Sequence, residues 1–125
     1  MPAKRIKAPR WLPDVEEQDY PAASSYLSLI YPAKRVAKLV GQLRAAPLAQ
    51  FMAKDIFRAS GLSLLGVSNS HVERDRKKIR SGQALSPLLL VREGKGRRVI
   101  IADGYHRLCA VYQFDEDAVI PCKIV

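Results

Sequence analysis

Three residues in the last quarter of the chain have types and spacing suited to binding an anion: Gly104, His106 and Arg107. They follow an apolar run at residues 100–102 and open a helical pattern. A strand-to-helix turn aims backbone N–H groups at one point, and the helix N-terminus adds partial positive charge there. Glycine allows close backbone approach, arginine offers a bidentate fork, and histidine can donate one more hydrogen bond. The sequence therefore predicts a phosphate site at this turn.

Asp103 and His106 are the candidate catalytic residues, because an aspartate beside a histidine can bind Mg²⁺ or act as a general base. Two alternatives stay open. Asp103 could instead cap the helix by accepting from the His106 N–H, and His106 could be a phosphate ligand or a core histidine. Asp55 and Glu93 are further acidic candidates. We expect replacement of Arg107 by alanine to remove ligand binding and to leave the fold intact.

Composition limits the classes of protein that this chain can be. Its 125 residues, 48% of them hydrophobic, suit one packed domain, and the net charge of +9 favours anionic partners unless it serves only solubility. Cys109 and Cys122 fit no metal spacing and no disulfide framework, so we expect buried, reduced thiols. No apolar run reaches membrane length, and residues 1–13 lack the apolar stretch of a secretion signal. We expect a cytoplasmic protein without membrane contact.

The first third predicts a tail and two helices. One helix starts near Asp19 and Pro21, and Pro32 opens the next. The second helix has apolar residues at the spacing of a buried face and a basic opposite face without acids. The apolar residues are Val36, Leu39, Val40 and Leu43, and the basic ones are Lys34, Arg35, Lys38 and Arg44.

From residue 48 the pattern alternates between strands and helices. We predict strands over 48–53, 87–92, 98–102 and 118–125, a loop over 62–69 and a hairpin turn over 93–96. We predict a short helix that Asp55 caps and Gly61 ends, a helix over 71–81 opened by a Ser70–Glu73 capping box, and a helix over 104–114.

The order of these elements, with the Ser86-Pro87 strand, the hairpin and Asp103-Gly104-Tyr105-His106-Arg107, resembles the ParB/sulfiredoxin superfamily over residues 48–125. The resemblance implies an α+β fold, with a small mixed sheet that is partly barrel-like and has packed helices. Residues 1–47 would be an N-terminal tail and helical extension, packed with the domain at 48–125 as one globular unit.

The resemblance also implies a nucleotide site, because family members hold ATP or CTP phosphates on the corresponding turn. Gly104, His106 and Arg107 would then carry the phosphates, with Mg²⁺ as a further expectation. Sulfiredoxins line this site from the preceding helix, and the matching positions here are His71, Arg74 and Lys78. Alternatively, Glu73–Lys77 and Asp75–Lys78 are surface pairs on a solvated helix.

Tyr105 stands where sulfiredoxins have their cysteine nucleophile and ParB proteins a glutamate, which argues against sulfiredoxin chemistry. Three functions remain. The first is a nucleotide- or phosphate-binding domain, with a small kinase or phosphohydrolase as its enzymatic form. The second is a nucleic-acid-binding or nuclease-like accessory protein that uses the basic faces of helices 32–45 and 71–81. The third is a non-catalytic interaction domain that pairs through residues 22–45, with a homodimer as one form.

Overall fold

A computed structural model describes residues 8–66, 69–94 and 98–125. Within these residues the chain forms five helices and four strands, so the α+β class is confirmed. In chain order the elements are α1 (Asp19–Leu27), α2 (Ala33–Ala45), β1 (Ala49–Met52), α3 (Ala53–Ser60), α4 (Ser70–Arg80), β2 (Leu88–Glu93), β3 (Arg98–Asp103), α5 (Tyr105–Phe114) and β4 (Val119–Ile124).

The sheet is mixed and has the strand order β1-β4-β2-β3. β2 pairs with β4 in parallel, whereas the β1–β4 and β2–β3 pairs are antiparallel. β1 and β3 are the two edges and do not pair with each other, so the sheet is open. The expectation of a partly barrel-like sheet is therefore wrong.

Both faces of the sheet are covered, and β2 shows this most directly. Leu88 and Leu90 belong to a core cluster with residues of α3, α4 and α5. Leu89 and Val91 belong to a second cluster with residues of α1 and α2. Successive strand side chains point to opposite faces, so an uninterrupted apolar strand needs a helical layer on each side. The N-terminal helices form one of these two layers.

Two helix starts differ from the sequence prediction. Asn69, not Ser70, caps α4, and its side-chain oxygen accepts from the N–H groups of His71 and Val72 at 3.0 and 3.2 Å. Asp55 lies in the first turn of α3 and pairs with Arg58 at 3.3 Å, so it is not the cap. Gly61 ends α3 in the left-handed conformation, as predicted.

The segment before α1 and the first two helices are held by specific contacts with the rest of the chain. Trp11 forms a parallel bridge with Leu85, and buried Lys123 donates through Nζ to the Tyr20 hydroxyl and the Arg44 carbonyl at 3.2 and 2.9 Å. The basic face of α2 is partly paired, since Arg44 contacts Glu17 at 2.5 Å. The sequence had suggested a basic face without acidic partners, and the structure shows that Arg44 has one in Glu17.

Both cysteines are buried and free, as expected. Parts of the predicted loop at 62–69 and of the predicted turn at 93–96 lie outside the described residues. Among the helices that are described, none combines the length and the apolar character needed to cross a bilayer.

Candidate functional site

Gly104 makes the turn from β3 into α5, and its backbone is in the left-handed region with φ of +108°. A Cβ at this position would lie 2.7 Å from Leu88 Cγ, so glycine is needed for space as well as for conformation. Gly104 has no side chain that could cap the helix. The first helical hydrogen bond runs from the Leu108 N–H to the Gly104 carbonyl. The N–H groups of residues 105–107 therefore have no partner inside the helix and are available to a ligand.

Asp103 does not cap α5 as the sequence had suggested, because its carboxylate binds Arg107 instead. Arg107 Nη2 donates to Asp103 Oδ2 at 2.9 Å, and it also lies 3.4 Å from Asp19 Oδ2 and from the Pro87 carbonyl. The side chains of these three charged residues are between 8% and 17% exposed. We call Asp19, Asp103 and Arg107 the acid–arginine cluster.

The acid–arginine cluster changes the role expected for Arg107. Nη2 is occupied by protein groups, and Nε is buried without a hydrogen-bond partner among the described residues. A guanidinium that neutralises the buried carboxylate of Asp19 and the partly buried carboxylate of Asp103 stabilises the fold, whether or not it also binds a ligand. The expectation that replacing Arg107 by alanine would leave the fold intact therefore needs correction.

Asp19 reaches this site from the N-terminal extension, which sequence reasoning had placed outside it. Its Oδ2 accepts from the buried Ser86 hydroxyl at 2.6 Å, and that hydroxyl accepts from the Glu16 N–H at 3.0 Å. The sequence offered Asp19 only as a helix start. Its burial depends on how α1 packs on the sheet, and local pattern does not show that.

A polar cavity of about 250 Å³ opens over the cluster. Six of its lining residues are ones that the sequence had singled out: Arg74, Lys78, Asp103, Gly104, His106 and Arg107. Four others were missed: Glu16, Gln18, Asp19 and Asp75. The cavity thus brings the basic face of α4 to the start of α5, as predicted, and adds an acidic wall from the segment that leads into α1.

His71 is the remaining predicted site residue, and it lies beside the cavity against His106. The two imidazole rings are 4.8 Å apart between centroids, and Arg74 Nη2 lies 3.3 Å from His71 Nδ1. Burial and the neighbouring His71 lower the pKa of His106, although Asp75 opposes that shift. A neutral imidazole at neutral pH can accept or donate a proton, which suits acid–base work.

Asp75 is the most informative residue that sequence reasoning missed. It is 5% exposed and lines the cavity, and its carboxylate has no hydrogen-bond partner among the described residues. The alternative of a surface pair with Lys78 is wrong, because Asp75 is buried. The signal is present in the spacing, because Asp75 lies at i+3 from Val72 and i−4 from Ile79, both of which are buried.

Burial raises the pKa of Asp75 above its ordinary value of 3.8, and the nearby Arg107, Lys78, Arg74 and His106 counter this only in part. The folded protein thus holds this proton more tightly than the unfolded chain does. The contribution of Asp75 to stability is complete below the unfolded pKa and is lost as pH rises through the folded pKa. We predict that Asp75→Asn is more stable relative to the parent protein at pH 7 than at pH 4. Urea unfolding at the two pH values measures this difference, and an equal difference at both would contradict it.

A second cavity of about 390 Å³ adjoins the polar cavity and shares Asp103, Gly104 and His106 with it. It adds aromatic and apolar side chains, among them Tyr26 and Tyr105. We call it the tyrosine cavity. Tyr105 donates its hydroxyl proton to the Ser63 carbonyl, which fixes the ring at the cavity wall.

The nearest thiol to this turn, Cys109, is poorly suited to be a nucleophile. It is fully buried, and burial raises its pKa. Its sulfur accepts from the Leu65 N–H at 3.5 Å. The thiolate is the reactive form of cysteine, so these surroundings favour a structural role.

Comparison with known proteins adds nothing to this site. No family model, no curated protein and no solved structure matches the chain. The resemblance to the ParB/sulfiredoxin superfamily therefore stays a prediction from the sequence. Over residues 8–66, 69–94 and 98–125, no group of three or more histidine, cysteine or acidic side chains is arranged to hold a metal ion.

Proposed function

We propose that this chain binds a small phosphate-bearing ligand in the polar cavity. The observation that carries the proposal is the convergence of two independent anion-binding features. Arg74 and Lys78 of α4 line the same cavity as Gly104 and His106, where α5 begins without a side-chain cap. Side-chain cations and unpaired helix N–H groups together favour phosphate over a neutral ligand.

The parts of the site have different roles in this proposal. Arg74 and Lys78 contact the phosphate, because they are the cations that line the cavity without being bonded to a carboxylate there. Arg107 lines the same cavity and is bonded to Asp19 and Asp103. A phosphate therefore binds on the α4 side of the cavity, away from those two carboxylates.

ATP or CTP, the ligands that the sequence resemblance implies, would use both cavities. The phosphates would lie against Arg74 and Lys78, and the base would lie in the tyrosine cavity beside Tyr26 and Tyr105. The donor set does not favour a protein-held Mg²⁺, since the Asp103 carboxylate is already bonded to Arg107. Metal dependence would follow the nucleotide's own phosphates.

An enzymatic form of this function would place proton transfer on His106. Its lowered pKa favours the neutral imidazole, and its side chain lines both cavities. Asp103 is the weaker catalytic candidate, because its carboxylate is already bonded to Arg107. The proposal for a small kinase or phosphohydrolase therefore depends on His106, and His106→Gln should retain ligand binding while losing turnover.

Lys78→Gln tests the binding proposal, with Lys77→Gln as its matched control on the same helix. Lys78 lines the polar cavity, whereas Lys77 is exposed and outside it. A hydrogen bond to a charged group contributes about 1.5–3 kcal/mol, so we expect Lys78→Gln to weaken binding roughly tenfold or more. Lys77→Gln should bind like the parent protein.

Thermal shift and calorimetry with inorganic phosphate, small phosphate monoesters, ATP and CTP, each with and without Mg²⁺, measure this effect. Equal weakening by both variants would point to a diffuse charge effect and against the cavity. Steeply salt-dependent binding of DNA with no response to any of these small ligands would favour the nucleic-acid function instead.

A further inference from the structure

The polar cavity has more carboxyl groups than permanent cations, a difference that a purely anionic ligand does not balance. Its four carboxyl groups are those of Glu16, Asp19, Asp75 and Asp103, and its three permanent cations are Arg74, Lys78 and Arg107. A phosphate bound to Arg74 and Lys78 would neutralise those cations and leave the carboxylates in excess. The cavity therefore favours a ligand that brings positive charge as well as negative charge.

Asp75 is the carboxyl group of this cavity that has cations nearby, among them Arg107 and Lys78, but accepts no hydrogen bond from them. Asp19 and Asp103 are bonded to Arg107, and Asp19 also accepts from Ser86. Asp75 is 5% exposed, lines the cavity, and has no donor among the described residues. A carboxylate that lines a cavity and has no donor of its own can accept hydrogen bonds from a cationic group of a ligand.

We infer, on the basis of the proposed function, that the ligand is a zwitterion: a small phosphate ester that also carries an ammonium group, with the phosphate on Arg74 and Lys78 and the ammonium on Asp75. Arg74, Asp75 and Lys78 line the same cavity from one helix, so a compact ligand can contact the cations and the carboxylate together. Glu16, at the acidic wall of the same cavity, adds a second carboxylate for the ammonium. A hydroxyl would satisfy the hydrogen bond of Asp75 but not the excess of negative charge.

The test compares two ligands that differ in one group. In 2-aminoethyl phosphate an ammonium ends the chain, and in propyl phosphate a methyl group of similar size replaces it. We expect the parent protein to bind 2-aminoethyl phosphate about tenfold or more tightly than propyl phosphate, as a charge-assisted hydrogen bond implies. Asp75→Asn should remove most of this preference, and propyl phosphate should bind the variant at least as tightly as it binds the parent protein, because a negative charge near Arg74 and Lys78 is lost. Asp55→Asn, an aspartate outside the polar cavity, should keep the preference.

Each result has a distinct meaning. If both phosphates bind the parent protein equally, or if Asp75→Asn weakens both by the same factor, the zwitterion is wrong and the phosphate site stands. If ATP or CTP binds and 2-aminoethyl phosphate does not, the ligand class is also overturned. If inorganic phosphate and all these esters fail to bind, the proposed function itself fails. Should Asp75→Asn not fold, the comparison of the two esters on the parent protein decides the inference by itself, and equal affinities overturn it.

Discussion

Arg107→Met is expected to lower the free energy of unfolding by about 3 kcal/mol, the lower end for a buried ion pair, because it leaves buried Asp19 and partly buried Asp103 without their cation. Arg107 Nη2 lies 2.9 Å from Asp103 and 3.4 Å from Asp19, and the three side chains are at most 17% exposed. Loss of the buried Nε, which has no partner among the described residues, removes one unfavourable group and offsets part of the cost. Since domains are stable by about 5–15 kcal/mol in total, the change is large, and urea unfolding measures it.

The matched control is Arg58→Met, which breaks another arginine–aspartate pair. Arg58 and Asp55 lie 3.3 Å apart, but their side chains are 85% and 49% exposed. An exposed pair contributes about 0–1 kcal/mol, so this variant should lose little. If Arg107→Met does not fold, the triple variant with Asp19→Asn and Asp103→Asn should recover stability, because it removes the unpaired charges. Equal losses from Arg107→Met and Arg58→Met would mean that the cluster is not the buried charge centre described above.

The elements of this fold could be predicted from the sequence because each has a local signal. Pro32 opens the second helix, Gly61 ends the third, and the run Leu88–Val91 needs burial on both faces. The strand order could not be predicted, and neither could the open sheet. Both depend on which strands pair over long stretches of chain, as β2 does with β4 and β1 does with β4.

The residues of the candidate site also fall into those with a local sequence signal and those that depend on tertiary packing. Arg74, Lys78, His106 and Arg107 could be predicted because helical spacing and a strand-to-helix glycine are visible locally. Asp19 could not be predicted as a site residue, because Arg107 is 88 residues further along the chain and the two meet only when α1 packs against β3. That contact also explains why the phosphate prediction was incomplete. The sequence predicts the cations of the cavity but not three of its acidic residues, Glu16, Asp19 and Asp75.

Asp75 shows how a helical pattern can conceal a buried acid. Val72 and Ile79 form a thin apolar seam on a basic helix, and an acid between them is easily interpreted as a surface group. Helical geometry puts that position on the buried side. A charged residue on a buried seam is costly unless it has a partner or a function, and that rule marks Asp75 as a candidate site residue.

Gly104→Ala should lower the free energy of unfolding by about 3 kcal/mol, because two separate costs meet at this residue. A φ of +108° is strained for any residue with a Cβ, at about 1–3 kcal/mol, and the new methyl group would lie 2.7 Å from Leu88 Cγ. Leu88 is fully buried and cannot move aside without disturbing the core. Urea unfolding gives the loss, and phosphate binding should fall too, because the start of α5 shifts.

Two other glycines separate these costs. Gly61→Ala has the conformational cost alone, since φ is +67° and the nearest atoms belong to the flexible Arg98 side chain at 3.4 Å, so we expect about 1 kcal/mol. Gly41 lies inside α2 with nothing within 4 Å of the place that a new methyl group would take, and Gly41→Ala should stabilise the protein by about 0.5–1 kcal/mol. The order Gly104, Gly61, Gly41 from most to least destabilising follows from backbone angle and contact alone. A Gly104→Ala variant no less stable than Gly61→Ala would show that the turn relaxes freely, and a turn that relaxes freely could not hold three N–H groups in place for a phosphate.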